Sequence, residues 1–109
     1  MIVDTSSDFG QRVAKRLDEE RIIWLTTVRV DGRPEPSPVW FLWVDETIVI
    51  FSQPDTVKTR NIAERPNVSL NFNSDYYGSD VIVIAGKARV IEGGPAADLF
   101  PALVEKYRP

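Results

Sequence analysis

The residues best placed to do chemistry lie at a corner. The stretch Phe51-Ser52-Gln53-Pro54-Asp55-Thr56-Val57-Lys58-Thr59-Arg60-Asn61-Ile62 leaves an apolar strand and opens a short helix. Asp55 or Thr56 can cap that helix, because its side-chain oxygen accepts from an orphan backbone N–H. Lys58 and Arg60 then fall in the first turn or two. A helix N-terminus carries partial positive charge, so a cation there costs about 0.3–1 kcal/mol. An anion held by Lys58, Arg60, the exposed N–H groups and the Ser52 hydroxyl removes the conflict. A plainer alternative pairs Asp55 with Lys58 and leaves both cations pointing into water.

The rest of the chain offers few other reactive groups. Its 109 residues include no His and no Cys. Transition-metal sites and thiol or imidazole catalysis are thereby nearly excluded. Chemistry falls to hydroxyls, carboxylates, Lys and Arg, or to a borrowed cofactor. The 13 basic and 16 acidic residues give a net charge of −3. That balance argues against a nucleic-acid partner, without excluding a local basic pocket. Met1-Ile2-Val3-Asp4 lacks the basic and apolar regions of a signal peptide. No apolar run approaches the roughly eighteen residues of a membrane span. The expectation is a soluble cytoplasmic protein with one domain over residues 1–109.

The elements that must position the corner are legible in order. Ser6, Ser7 or Asp8 caps a first helix, with Phe9, Val13 and Leu17 on one apolar stripe. Arg21 to Val30 reads as a strand buried on much of both faces. Asp31-Gly32 signals a two-residue hairpin turn of type I′. The next strand runs from Arg33 to Val44 and carries Pro34, Pro36 and Pro38. Prolines spaced by two strip donors from one edge, so its first half reads as an edge and Val39 to Val44 as central. Either the prolines only guard an ordinary edge, or the sheet parts there as in a partly open barrel. Asp45-Glu46 turns into a third strand, Thr47 to Ser52, and the corner helix runs from about Thr56 to Glu64. Val68, Leu70 and Phe72 point inward from a fourth strand. A polar, aromatic loop with Tyr76 and Tyr77 leads to a long fifth strand, Val81 to Ile91, where Gly86 suggests a bulge or bend. Gly93-Gly94-Pro95 breaks the chain before a last helix, Ala96 to Tyr107. The fold class is mainly β (α+β), with a small barrel favoured over a sandwich.

Ile23-Trp24-Leu25-Thr26-Thr27, Asp31-Gly32-Arg33-Pro34, Pro38-Val39-Trp40-Phe41-Leu42-Trp43, Ser52-Gln53-Pro54, Lys58-Thr59-Arg60-Asn61-Ile62 and Pro66-Asn67-Val68-Ser69-Leu70 together resemble a known superfamily. It is the pyridoxamine 5'-phosphate oxidase-like (FMN-binding) split β-barrel superfamily. The likeness is greatest to the probable deazaflavin (coenzyme F-420)-dependent reductases of actinobacteria. The resemblance implies a split β-barrel of antiparallel strands with peripheral helices, in a homodimer with cofactor at the interface. It implies FMN or coenzyme F-420 as cofactor, the phosphate near Lys58 and Arg60 with Ser52 and Gln53 helping. The tricycle would lie along Pro38, Val39, Trp40 and Phe41. Such chains usually add a closing strand, so the resemblance implies either a barrel lacking one here or a shortened chain.

The activity so implied is hydride transfer from reduced cofactor to a small unsaturated or quinone-like acceptor. A flavin monophosphate and a deazaflavin phosphodiester both want Lys and Arg, so the residues do not choose between them. Trp40, Trp43, Tyr76 and Tyr77 could wall an apolar slot, while Trp24 and Phe72 read as core. Two other classes stay open: a cofactor carrier without turnover, and an interaction domain without a ligand.

Overall fold

The computed structural model describes residues 3–53, 55–91 and 106–107. Helix α1 (Asp8–Glu19) is capped by Ser7, whose hydroxyl accepts from the Gly10 N–H at 2.9 Å. Val13 and Leu17 face the core, but Phe9, expected on the same stripe, is 54% exposed. Gly10 takes the inward place of that turn: a Cβ added to it would lie 1.6 Å from the Asp4 carbonyl oxygen. Phe9 is left on the outside, with the Arg12 guanidinium 5.2 Å from its ring.

Strand β1 (Ile22–Val28) alternates more cleanly than its composition suggests. Ile23, Leu25 and Thr27 are buried, while Ile22, Trp24, Thr26 and Val28 are half-buried on the other face. Trp24 is therefore not core; its indole N–H donates to Asn73 Oδ1 at 2.9 Å. The hairpin that follows is not the two-residue turn expected of Asp31-Gly32. The Asp31 carboxylate accepts from the Arg33 N–H, and only Gly32 takes positive φ, at 87°. Arg29 N–H donates to Arg33 O and Gly32 N–H to Arg29 O, which closes a three-residue loop. The turn with positive φ at both centres lies instead at Asp45-Glu46, between Val44 and Thr47.

Strand β2 (Pro34–Val44) changes partner halfway. Pro34 to Trp40 pair with β1, from Val28 back to Ile22. Phe41 to Val44 pair with β3 (Thr47–Ile50). The prolines cannot donate to β1, so the intervening N–H groups make that ladder, and the opposite edge is stripped of donors. Val39 to Val44 was expected to be central. Among the described residues Phe41 to Val44 pair with β3 alone, because β1 ends its pairing at Ile22. The parting of the sheet is thus a hand-over from one neighbour to the next.

Helix α2 (Val57–Glu64), strand β4 (Asn67–Asn71) and strand β5 (Val83–Lys87) complete the order β3-β2-β1-β4-β5, all antiparallel. The result is a curled half-barrel, mainly β, as expected of a split barrel. Strand β5 is shorter than the predicted Val81 to Ile91. Gly86 makes no bulge either; it faces Val68 in an unbroken register from Lys87 to Val83. Val68, Leu70 and Phe72 point into a core shared with Leu17, Ile23, Phe41 and Ile62. The last predicted helix lies outside the described residues except for Lys106 and Tyr107.

Candidate cofactor site

The β2–β3 register shows how the site opens. Phe41 faces Ile50, and the pairing stops there. Continued by the same rule, Trp40 would meet Phe51 and Pro38 would meet Gln53. The donorless edge of Pro34, Pro36 and Pro38 cannot be zipped to that segment. Strand β3 ends at Ile50, not at Ser52. Ser52 and Gln53 therefore leave the sheet as exposed chain.

The corner helix begins as its sequence dictates. Thr56 is the N-cap, and Thr56 and Thr59 form a reciprocal capping box. The first turn of α2 holds no acidic residue. Asp55, just outside it at φ 59°, does not pair with Lys58. It takes Arg60 instead: Arg60 Nη1 donates to the Asp55 carbonyl at 2.8 Å and to its carboxylate at 3.3 Å. Lys58 is half-buried and makes no ion pair among the described residues.

The two cations are not brought together. Two positions apart on a helix is roughly 200° of rotation, so they leave α2 on opposite sides. Arg60 lines an open cleft of about 350 Å³ with Arg29, Val30, Val57, Asn61, Glu64 and Arg65. Lys58 lies outside that cleft. Sequence reasoning passed over Arg29 and Arg65. Their sole signal was position, one at the end of β1 and one at the C-cap of α2.

The predicted ring-side residues divide by strand alternation. Val39 and Phe41 are buried in the core, at 6% and 0% exposure. Pro38 and Trp40 lie on the outer face, Trp40 at 55%. Trp43 is partly buried and packs against the core. Tyr76 and Tyr77 are almost fully exposed and meet edge to face at 5.1 Å. The Asp75 carboxylate accepts from the Tyr77 and Ser79 N–H groups and from the Ser79 hydroxyl, and these bonds hold its pKa below the usual carboxylate range.

Sequence reasoning gave Tyr107 only a packing role. Its ring stacks on Trp40, centroids 4.3 Å apart and planes 7° from parallel. Its hydroxyl accepts from the Phe41 N–H at 2.9 Å and reaches the Arg21 carbonyl. Lys106 Nζ donates to the Phe41 carbonyl at 2.9 Å and sits 3.5 Å from the Phe41 ring centroid. Desolvation lowers its pKa to about 8, against the opposing pull of Asp18 and Glu20.

These residues suit a ligand with an anionic end and a flat ring. Lys58 and a helix N-terminus without acid offer the first, and the open indole of Trp40 the second. A family model described as pyridoxamine 5'-phosphate oxidase matches residues 9–108. A solved structure called F420 reductase aligns with TM-score 0.72 at 25% identity, over 85% of this chain and 74% of that one. A conserved hypothetical protein from Mycobacterium tuberculosis aligns with TM-score 0.74 at 20% identity, over 99% and 68%. HutZ, a heme storage protein from Vibrio cholerae, aligns with TM-score 0.64 at 19% identity, over 88% and 70%. The last two likenesses are of fold alone. No curated protein matches the sequence.

Proposed function

The chain belongs to the pyridoxamine 5'-phosphate oxidase family, and from that premise we propose that it is an oxidoreductase using FMN or coenzyme F-420, the latter favoured. The observation that carries the reading is Lys58, unpaired among the described residues in the first turn of a helix that supplies no acid of its own. Lys58 would hold the cofactor's phosphate, with the α2 N–H groups and the Ser52 hydroxyl. Arg60 would join only by giving up Asp55. Gln53 would help at the phosphate, Pro38 and Trp40 would line the ring, and Val39 and Phe41 would support it from the core. When bound, the cofactor supplies the hydride chemistry, and the acceptor is a small unsaturated or quinone-like molecule. The absence of His and Cys suits this division of labour. It also removes two of the usual axial ligands of a heme, and tyrosine is the ligand type that a heme reading would have to use.

The proposal includes a homodimer. Across the outer face, Pro38, Trp24, Asn71 and Val83 form one cross-strand row, and Pro36, Thr26, Ser69 and Ala85 form the next. Neither row carries a charge, although charged residues are 27% of the chain. Depletion of charge is the compositional mark of an interface centre.

The test is a pair of parallel titrations of the purified protein with FMN and with F-420, read by cofactor fluorescence. Saturable binding of either, followed by turnover with a quinone acceptor, supports the proposal. Binding without turnover makes the protein a carrier. Binding of neither removes the cofactor reading.

A further inference from the structure

Trp40 and Tyr107 are 67 positions apart and are the one face-to-face ring pair among the described residues. The pair sits where β1 and β2 part company. Ile22 and Trp40 are the last residues to pair, and beyond them the Phe41 N–H has no strand partner on that side. The Tyr107 hydroxyl fills the fork. It binds that N–H at 2.9 Å and lies near both the Arg21 and Phe41 carbonyls. Three backbone atoms thus fix the phenol, and the phenol fixes the indole by stacking. Trp40 loses its rotamer freedom on folding rather than on binding. Yet over half of its surface stays open. A pre-set indole with one face backed and the other bare is a stacking platform.

Charge narrows what would use it. The Arg21 guanidinium lies 5.9 Å from the Tyr107 ring and Lys106 Nζ 5.6 Å from it. The electron-rich indole favours an electron-poor ring, and the nearby cations favour an occupant that gains negative charge when reduced. A planar, conjugated heterocycle meets both conditions.

We propose that Tyr107 is the positioning residue that holds Trp40, already assigned to the ring, with its open face toward the ligand. The inference rests on the cofactor reading and deepens it. It assigns ring recognition to a residue pair separate from the phosphate-side Lys58.

The test uses riboflavin, which has the ring but no phosphate, beside FMN, against the wild type, Tyr107→Ala, Tyr107→Phe and Lys58→Ala. Dissociation constants come from quenching of the isoalloxazine fluorescence. Near-ultraviolet circular dichroism confirms that each variant is folded. Tyr107→Ala is expected to weaken riboflavin and FMN by the same factor, about fivefold to tenfold. Tyr107→Phe keeps the ring but loses the hydroxyl's bonds to the fork, so it should fall between the wild type and Tyr107→Ala. Lys58→Ala should weaken FMN and leave riboflavin unchanged. Riboflavin binding that is equal or tighter in Tyr107→Ala overturns the proposal, as does Tyr107→Phe binding riboflavin more weakly than Tyr107→Ala. A Trp40 emission that follows protein concentration and ignores the ring overturns it too, because the bare face then belongs to a second copy. If Lys58→Ala weakens neither ligand, the phosphate reading falls while the ring arms still decide this one. If the wild type binds none of riboflavin, FMN and F-420, both fall.

Discussion

Asn61 donates its side-chain amide to the Thr27 hydroxyl at 3.0 Å, and both residues are buried. This is the polar pin that fixes α2 to β1. Arg65 adds a second tie, Nε to the Val28 carbonyl at 2.7 Å. The helix that presents Lys58 is therefore anchored to the central strand of the sheet. Thr27→Val removes the acceptor at nearly constant volume and strands the Asn61 amide in the core. The expected cost is about 1–3 kcal/mol in urea unfolding. Adding Asn61→Leu should return part of the loss, since it removes the stranded group. Additive losses in the double variant would show that the two side chains do not act as a pair.

The two corner cations should differ sharply. Lys58 has no ion-pair partner among the described residues, whereas Arg60 is held by Asp55. A charge-assisted hydrogen bond contributes about 1.5–3 kcal/mol. Lys58→Ala should thus weaken FMN or F-420 roughly 10- to 150-fold. Arg60→Ala should change affinity less than about threefold, because its bond to Asp55 offsets what it could offer the ligand. Fluorescence titration of both variants checks the ranking. A larger loss in Arg60→Ala would move the phosphate to the three-arginine cleft.

Local rules were readable where one residue's chemistry decides the outcome. Thr56 caps α2 because its hydroxyl and its neighbour Thr59 satisfy each other, and no distant residue is needed. Ser7 likewise starts α1. Alternation found Val68, Leu70 and Phe72. The readings that failed depend on competition between sites. Asp31-Gly32 carries the hairpin signal, but the bond from Arg33 N–H to the Asp31 carboxylate draws the chain into a longer loop. Asp45-Glu46 takes the tight turn without a glycine, because Val44 and Thr47 are already paired. The joint Lys58–Arg60 site is of another kind: the helical angle sets the two on different sides of α2, and the titrations of both variants decide whether one anion takes both. Tyr107 was read only as part of a helix stripe, since nothing in a lone tyrosine near the terminus says which backbone fork it will fill.

Gly10 gives a prediction that runs against helix propensity. In a helix interior, Gly→Ala normally stabilises by about 1 kcal/mol. Here the added methyl would overlap the Asp4 carbonyl, itself bonded to the Ser7 N–H and hydroxyl. Backbone cannot step aside as a flexible side chain can. Gly10→Ala should be destabilising overall, by about 1–3 kcal/mol. Thermal unfolding by circular dichroism measures the sign, and a raised midpoint would mean that the lead-in before Ser7 is free to move.

Lys106 makes stability depend on alkaline pH in a direction opposite to most lysines that gain a partner. Its folded pKa is lowered to about 8 from the usual 10.5, because burial penalises the ammonium more than Asp18 and Glu20 favour it. Between those values the unfolded chain holds a proton that the folded chain has released. Stability contributed by this group therefore rises with pH across that window. Tyr107 acts the other way. Burial raises its pKa, so its contribution is lost as the pH climbs through the raised value, past the usual 10.0. The clean interval is thus about pH 8 to 10. Urea midpoints of the wild type and Lys106→Met at steps across it should diverge, the wild type gaining on the variant as pH rises. A difference that stays flat would mean that the ammonium over Phe41 is fully hydrated, and that Lys106 does not press on the fork that Tyr107 fills.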